Sequence, residues 1–251
     1  MSASATLNFP EDVSRRIDGG VVVQVAMDEE ARPFLDRCTR LGEPVDFGRA
    51  RFTALDHDGQ PILLVRSGIG LVNAASAATS AIAACAPRAV FSAGSAGGLR
   101  ADVEVGDVAV GTTYTFTDAD ATAFGYERGQ VPGMPVDYAS DALLLAAARG
   151  LPAEEGTHLV GPMLAGGSFV TAANVKDARQ MFPEALSTDM ETTAIAQVCS
   201  SHDVPFLSVR GISDLCGPAA DQDFHMAVDV VAERSARVVL KTMALSSEAT
   251  D

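Results

Sequence analysis

The sequence predicts a single α/β domain in which a mixed, largely parallel central sheet is flanked by helices. Buried-type strand runs alternate with helical patterns, an early hairpin interrupts the alternation, and no linker or repeat divides the chain. A chain of 251 residues is long enough for one large domain of this kind. We expect the domain to cover residues 20–251, after an N-terminal arm at residues 1–19.

Hydrophobic periodicity and turn residues justify the elements in order. GVVVQVA, for example, is a continuous β-branched run, as in strands buried on both faces. The first half predicts a strand at 20–26, a helix at 27–38, a hairpin of strands 51–55 and 61–66, an alanine-rich helix at 72–86, and a strand from 89 that runs into a glycine loop. The second half predicts a strand at 106–116, a helix at 140–150, a helix from 174, a short strand at 185–187, a helix over 192–198, a strand at 205–213 and an amphipathic helix at 224–246.

In such sheets, ligands bind in loops beyond the carboxyl ends of the strands. Loops and one helix start carry glycine or acid where packing alone would not require it: 27–30, 68–70, 94–98, 213–217 and 189–191. In the last of these, LSTDMETTAIAQVC, we interpret Asp189 as the helix cap and Glu191 as the anchor of a polar ligand.

Composition excludes several classes of function. The formal net charge is −15, which disfavours binding to nucleic acid or to anionic membranes. No apolar run approaches the ~20 residues of a membrane span, and the first 20 residues lack the apolar segment of a secretory signal. The 4 cysteines and 4 histidines are scattered, so we expect reduced thiols, a cytoplasmic protein and no metal site.

Three motifs that would indicate a cofactor or a catalytic nucleophile are incomplete or absent in the sequence. GIGLVN has Asn73 where a dinucleotide fingerprint needs its third glycine, and no acid ends the next strand. AGSAG has Ala93 in the first glycine position of a nucleophile elbow, and Ser95 has no evident histidine partner. A Gly-Lys-Ser/Thr phosphate loop does not occur in the sequence. We therefore expect no cofactor.

The remaining polar residues suit cleavage of an N-glycosidic bond: Glu30, Ser95, Glu191, Arg210 and Asp214. This reaction passes through an oxocarbenium-like sugar, needs an acid for the leaving base and needs a group that activates water. A further carboxylate can accept hydrogen bonds from both hydroxyls of a ribose. Neither a metal nor a cofactor is required.

The sequence resembles the 5′-methylthioadenosine/S-adenosylhomocysteine nucleosidases of the nucleoside phosphorylase superfamily, over residues 21–245. The motifs that carry the resemblance, in order, are AMDEE, SGIGLVNAA, SAGSAGGL, VGDVAV, DADATAFGYERGQVPG, DMETTAIAQVC and VRGISD. The resemblance implies a nucleoside phosphorylase-like fold and hydrolysis of 5′-substituted adenosines to release adenine, as in methionine salvage. It also implies a homodimer.

The resemblance implies a role for each polar candidate. Asp214 is similar to the general acid that binds the adenine, and Glu30 to the base that orients the attacking water, with Ser95 and Arg210 nearby. Glu191 is similar to the residue that holds the ribose hydroxyls. Among the other implied substrate-binding residues, Met190 would lie below the sugar, and Phe169 and the backbone of Val170 would contact the base. Met27 and Phe224 would line the alkylthio pocket, and Ser213 would also bind the substrate. Phe124 and Pro132 would come from the partner subunit.

Each residue also has a purely structural interpretation. Glu191 and Asp214 are also explained as helix-end residues, and Glu30 as a surface acid of a first helical turn. Arg210 is also explained as a buried ion-pair partner, and the apolar candidates are also explained as core residues.

Two other functions stay open: a phosphate-dependent purine nucleoside phosphorylase and a non-catalytic nucleoside-binding protein. AMDEE places three acids where phosphate would approach, which favours water. The pair Glu30 and Asp214 favours an enzyme over a binding protein. The chain departs from the family pattern at Asp189, at Thr192 and Thr193, and at Cys216-Gly217-Pro218.

Overall fold

The structure, a computed structural model, describes residues 17–152, 158–218 and 220–248, without the side chains of 221–227 and 247–248. The N-terminal arm predicted at residues 1–19 falls mostly outside the described residues. Its last three residues belong to the fold, because Ile17 is fully buried and the Gly19 N–H donates a hydrogen bond to the carbonyl of Cys85.

Strands and helices alternate along the described part of the chain. The strands there are β1 (Val21–Val25), β2 (Thr39–Arg40), β3 (Val45–Phe47), β4 (Ala50–His57), β5 (Gln60–Arg66), β6 (Ala89–Gly98), β7 (Val108–Phe116), β8 (Tyr138–Ala139), β9 (His158–Ala165), β10 (Ser187–Asp189) and β11 (Phe206–Asp214). The α-helices there are α1 (Asp28–Arg37), α2 (Leu71–Cys85), α3 (Ala142–Arg149), α4 (Val175–Met181), α5 (Thr192–Ser201) and α6 (Ala220–Glu248). A short 3₁₀ helix spans Thr122–Phe124.

The strands form one mixed sheet with the order β10-β9-β7-β11-β6-β1-β5-β4-β2. β5, β1, β6 and β11 run parallel side by side, while β4 returns antiparallel to β5 as the predicted hairpin. The fold class predicted from the sequence, a single α/β domain with a mixed sheet flanked by helices, is confirmed.

One end of the sheet closes on itself. β10 pairs in parallel with β9 and in antiparallel with β6, where Ser187 lies opposite Gly98 and Thr188 opposite Gly97. The five strands β6, β11, β7, β9 and β10 therefore form a closed ring, which we call the strand ring. Closure removes the edges of these strands and fixes the ends of β6 and β10 against each other.

Two apolar layers cover the sheet. On one face, α1, α3 and α6 pack on the strands through a core that includes Phe34, Leu144 and Val239. On the other face, the small residues of α2 let it pack closely against α5, and Ala78 and Ile195 are buried between them. Each layer buries a continuous apolar surface, which is the main favourable term in the stability of the fold.

The structure corrects three details of the prediction. Residues 94–98, predicted to be a glycine loop, are the second half of strand β6, because β11 pairs with residues 94–97 and β10 pairs with residues 97 and 98. The short strand predicted at 185–187 lies at Ser187–Asp189, and the C-terminal helix begins at Ala220 rather than at 224.

Within the described ranges, every helix is too short or too polar to cross a membrane. The same part of the chain contains no group of three or more His, Cys, Asp and Glu side chains arranged to hold a metal ion.

Candidate active site

A cleft of roughly 650 Å³, including its open mouth, lies at the carboxyl ends of β1, β6 and β11. Glu30, Glu191 and Asp214, which are far apart in the sequence, all line this cleft. Its other described lining residues are Ala26, Met27, Ile69, Ser95, Ala96, Gly97, Ser168, Phe169, Val170, Thr188, Asp189, Met190, Ser213 and Cys216. The cleft has an apolar wall with a few converging polar groups, as small-molecule sites do.

Glu30 is held at the floor of the cleft by four hydrogen-bond donors. One carboxylate oxygen accepts from the backbone N–H groups of Ala26 and Met27, at 2.8 and 3.2 Å. The other accepts from the N–H and the hydroxyl of Ser95, at 2.8 and 2.9 Å. The side chain is only 1% exposed. Four donors stabilise an ionised carboxylate and fix its orientation, so the surface-acid interpretation of Glu30 is wrong.

Gly94 makes room for this carboxylate. Its φ of +132° lies in a region that favours glycine, and a Cβ added there would lie 2.3 Å from Glu30 Oε1. A glycine at this position is therefore required by both backbone conformation and contact.

Glu191 lies at the start of α5 but does not cap that helix. Its Oε1 accepts a hydrogen bond of 2.8 Å from the Gly70 N–H, so the glycine loop before α2 meets the start of α5 here. Burial raises the pKa of Glu191 to about 7. Arg210 opposes this shift, and the negative charges of Asp189 and Glu30 add to it.

Asp189 caps α5, as predicted. Its Oδ1 accepts from the N–H groups of Glu191 and Thr192, at 2.8 and 2.7 Å, and its Oδ2 accepts from the Thr192 hydroxyl at 2.6 Å. A cap of this kind satisfies the free amide groups of the first helical turn.

Arg210 lies behind the cleft rather than in its wall, with only 1% of its surface exposed. Its Nη1 donates to the Ser95 carbonyl at 3.2 Å, and its Nη2 donates to the Ser92 hydroxyl at 2.7 Å. It also forms ion pairs with Asp189 at 3.5 Å and with Glu191 at 3.7 Å. Burial alone would lower the pKa of Arg210, but these carboxylates raise it above its ordinary value.

Asp214 ends β11 at a break in the strand register between Ile212 and Asp214. Bulges of this kind re-aim a side chain, and this one turns the 1%-exposed Asp214 into the cleft. Its Oδ2 accepts from the Ser213 hydroxyl at 3.0 Å, and its Oδ1 accepts from the Cys216 N–H at 2.8 Å. Gly97 leaves space beside it, since a Cβ there would lie 3.2 Å from Asp214 Oδ1.

The other predicted residues divide into two groups. Met27, Met190, Phe169, Val170 and Ser213 line the cleft. Phe124 and Pro132 are exposed and do not line the cleft of their own chain, and the side chain of Phe224 lies outside the described residues.

Sequence reasoning did not find every residue of the site. Ile69 lies in a loop that was predicted to bind ligand, and Ser168 follows the end of β9 beside two glycines, so their positions were available signals. Ser92 lies inside β6, and Thr192, the first residue of α5, stood out only as a departure from the family pattern. Nothing in one sequence indicates that their hydroxyls meet.

Comparison with known proteins agrees with this architecture. Residues 21–244 match the family model of the phosphorylase superfamily, which gives the class of protein. A 5′-methylthioadenosine/S-adenosylhomocysteine nucleosidase of Staphylococcus carnosus is 37% identical over 220 residues, covering 87% of this chain and 96% of that protein. A nucleosidase of the same name from Bacillus thuringiensis is 37% identical over 226 residues, covering 89% and 97%.

Solved structures of such nucleosidases also superpose well. The Neisseria meningitidis enzyme, in complex with methylthio-immucillin-A, has a TM-score of 0.86 at 36% identity and covers 89% of this chain and 98% of its own. The Colwellia psychrerythraea enzyme, in complex with adenine, has a TM-score of 0.85 at 30% identity and covers 91% and 96%. The chain therefore belongs to the 5′-methylthioadenosine/S-adenosylhomocysteine nucleosidase family of the phosphorylase superfamily.

Proposed function

We propose that this protein hydrolyses the N-glycosidic bond of 5′-substituted adenosines, such as methylthioadenosine and S-adenosylhomocysteine, and releases adenine. The observation that carries the proposal is the convergence of Glu30, Glu191 and Asp214 on one largely apolar cleft. The family supports the same activity, since its members named above are nucleosidases of these compounds.

Glu30 is the proposed activator of water. A carboxylate that already accepts four hydrogen bonds is held in one orientation. The water oxygen forms a bond to the anomeric carbon of the ribose while Glu30 accepts the proton that the water loses. Ser95 contributes by fixing the carboxylate through two of the four hydrogen bonds.

Asp214 is the proposed general acid. The bond between the base and the anomeric carbon breaks most easily when the leaving adenine is protonated, and a carboxylic acid beside the base supplies that proton. Its two oxygens are oriented by Ser213 and by the backbone of Cys216, which leaves the carboxyl group directed at the cleft.

Glu191 is the proposed anchor of the sugar. Its Oε1 accepts a hydrogen bond of 2.8 Å from the Gly70 N–H. Its Oε2 lies 3.7 Å from Arg210 Nη1, which is an ion-pair distance and longer than a hydrogen bond. A carboxylate has room for further donors, so two ribose hydroxyls are suitable partners.

Water rather than phosphate is the proposed nucleophile. Among the described residues that line the cleft there is no Lys, Arg or His. Arg210 behind the wall is already committed to Ser92, Ser95 and two carboxylates. A phosphate dianion beside Glu30 would meet repulsion in a poorly screened site, and the described lining residues offer no cation to offset it.

The apolar side chains complete the proposed substrate site. Phe169 would stack on the base next to the Val170 backbone, Met190 would lie below the sugar, and Met27 with Phe224 would contact the alkylthio group. These positions suit a ligand with one aromatic end and one thioether end.

We also propose a cytoplasmic homodimer. Phe124 is 83% exposed in the single chain, which is unusual for a large aromatic side chain and is typical of a surface that a partner covers. Phe124 and Pro132 of one subunit would then cover the cleft of the other. Sedimentation of Phe124→Ser against the unaltered protein tests this, and equal association states would contradict it.

The test of the proposed reaction is adenine release from methylthioadenosine and from S-adenosylhomocysteine, with and without added phosphate. We expect free ribosyl sugar and free adenine at a rate that phosphate does not change. A sugar 1-phosphate formed only with phosphate would assign a phosphorylase. Binding without any release of adenine would assign a nucleoside-binding protein.

A further inference from the structure

Behind the cleft wall, one guanidinium serves two carboxylates. Arg210 lies 3.5 Å from Asp189 Oδ2 through its Nε and 3.7 Å from Glu191 Oε2 through its Nη1. The shorter contacts of Arg210 are hydrogen bonds to neutral oxygens of Ser92 and Ser95, and its Nε makes no hydrogen bond within the described structure. The two acids therefore compete at nearly equal distance for one positive charge.

Thr192 shifts this competition. Its hydroxyl donates to Asp189 Oδ2 at 2.6 Å, so the oxygen that faces Arg210 Nε already has a closer donor. The same hydroxyl lies 3.2 Å from the Ser208 hydroxyl and 3.4 Å from the Ser92 hydroxyl, which also accepts from Arg210. Thr192 is completely buried, so water does not replace this hydrogen bond.

We propose that Thr192 is a positioning residue of the sugar site: its hydroxyl holds the Asp189 carboxylate on the start of α5 and so leaves the charge of Arg210 to Glu191. The proposal deepens the proposed function, because it rests on Glu191 as the anchor of the ribose hydroxyls. Thr192 acts through Asp189 and Arg210 and does not line the cleft.

Four groups face Glu191 from the elements around it. Arg210 of β11 and the Gly70 N–H favour its ionised form, whereas Asp189 of β10 and Glu30 of α1 disfavour it. An anionic Glu191 is the form that accepts hydrogen bonds from two hydroxyls. Any change that draws Arg210 towards Asp189 therefore raises the pKa of Glu191. Cleavage of ribosides then requires a higher pH.

Two substitutions move this balance in opposite directions. Thr192→Val removes the hydroxyl with little change of shape, and we expect Asp189 Oδ2 then to move closer to Arg210 Nε, which makes no hydrogen bond. Asp189→Asn removes the competing charge and keeps an oxygen for the helix cap. We expect the acid-side midpoint of kcat/KM for methylthioadenosine to rise by at least about half a pH unit in the first variant and to fall in the second.

The measurement is kcat/KM for methylthioadenosine between about pH 5 and pH 9 at constant ionic strength, with the inhibition constant of free adenine beside it. Thr192→Ser retains the hydroxyl and should follow the unaltered protein. Thr193→Val is the matched control, because Thr193 is the buried neighbour whose hydroxyl donates to the Thr115 carbonyl instead. Glu191→Gln identifies the midpoint that belongs to Glu191, and adenine inhibition should stay unchanged in all variants.

Opposite shifts of Thr192→Val and Asp189→Asn, with Thr192→Ser unchanged, support the proposal. Coincident profiles, or shifts in one direction, overturn it. If Thr192→Val does not fold, Thr192→Ala carries the same test. Absence of adenine release from the unaltered protein would instead contradict the proposed function, so the two failures are distinguishable.

Discussion

Replacing Gly94 by alanine tests whether the position of Glu30 controls the reaction. The added Cβ would lie 2.3 Å from Glu30 Oε1, whereas ordinary contacts begin near 3.4 Å. The carboxylate must therefore retreat by about 1 Å, which on its own costs about 10²-fold in rate. That loss corresponds to about 2.7 kcal/mol of transition-state stabilisation.

Retreat of the carboxylate also breaks contacts. The hydrogen bonds from the Ser95 N–H and hydroxyl end on the oxygen that the new methyl group displaces. The φ of +132° adds strain of roughly 1–3 kcal/mol for a residue other than glycine. We therefore expect Gly94→Ala to fold with a lower melting temperature and to lose about 10²-fold or more in kcat.

The assay is steady-state adenine release together with thermal unfolding. Gly59→Ala is the matched control, because Gly59 also has positive φ, at +83°, but an added Cβ meets nothing within 4 Å. It should lose stability without losing kcat. A folded Gly94→Ala protein with kcat within about 3-fold of the unaltered protein would refute the reasoning that Glu30 must keep this position.

Three further predictions concern the carboxylates. Glu30→Gln removes the base, so kcat should fall by about 10²–10⁴-fold; an unchanged rate in a steady-state assay would remove the water-activation role. The protein should still fold but with a lower melting temperature, because the amide NH2 of glutamine faces backbone N–H groups that now donate to a carboxylate oxygen. Asp214→Asn should lose a comparable factor in kcat yet bind methylthioadenosine with near-normal affinity in calorimetry, and normal turnover would show that another group protonates the base. Glu191→Gln should be more stable than the unaltered protein at about pH 8, by up to about 3 kcal/mol. The pKa of Glu191 is raised from 4.5 to about 7 on folding, so the folded state binds the extra proton and this group's contribution to stability is lost as pH rises through that window. Denaturant unfolding at about pH 5 and pH 8 measures the difference, and a gap that does not grow with pH would contradict the sign.

Much of the fold could be predicted from the sequence, because long periodic segments carry their own signal. The β-branched run of β1 and the hairpin of β4 and β5 lie where the pattern placed them. The second half of β6 was not predicted as a strand, because residues 94–98 are small and have a weak strand preference. They are a strand because β11 pairs with residues 94–97 and β10 pairs with residues 97 and 98, and such partners are a property of the tertiary structure.

The site was predicted unevenly for a similar reason. Glu30, Glu191 and Asp214 each stand at an element boundary, where an acid is conspicuous, and all three reach one cleft. The burial of Arg210 was foreseen only in the alternative of a buried ion-pair partner, because a strand sequence such as VRGISD does not indicate which side chains are covered from every direction. The hydroxyls of Ser92, Thr192 and Ser208 come from three elements, and only their packing brings them together.

The closure between β6 and β10 restricts how a ligand can reach the cleft. Gly97 borders Asp214 at the end proposed for the base, while Thr188 and Asp189 border Glu191 at the end proposed for the sugar, and Gly97 and Thr188 are paired partners. Pulling the two ends apart would rupture interstrand hydrogen bonds, so we expect β6 and β10 to move together rather than to separate at this pairing. We therefore expect a ligand to pass over the rim, where Ile69 and Phe169 are exposed, without separation of β6 from β10.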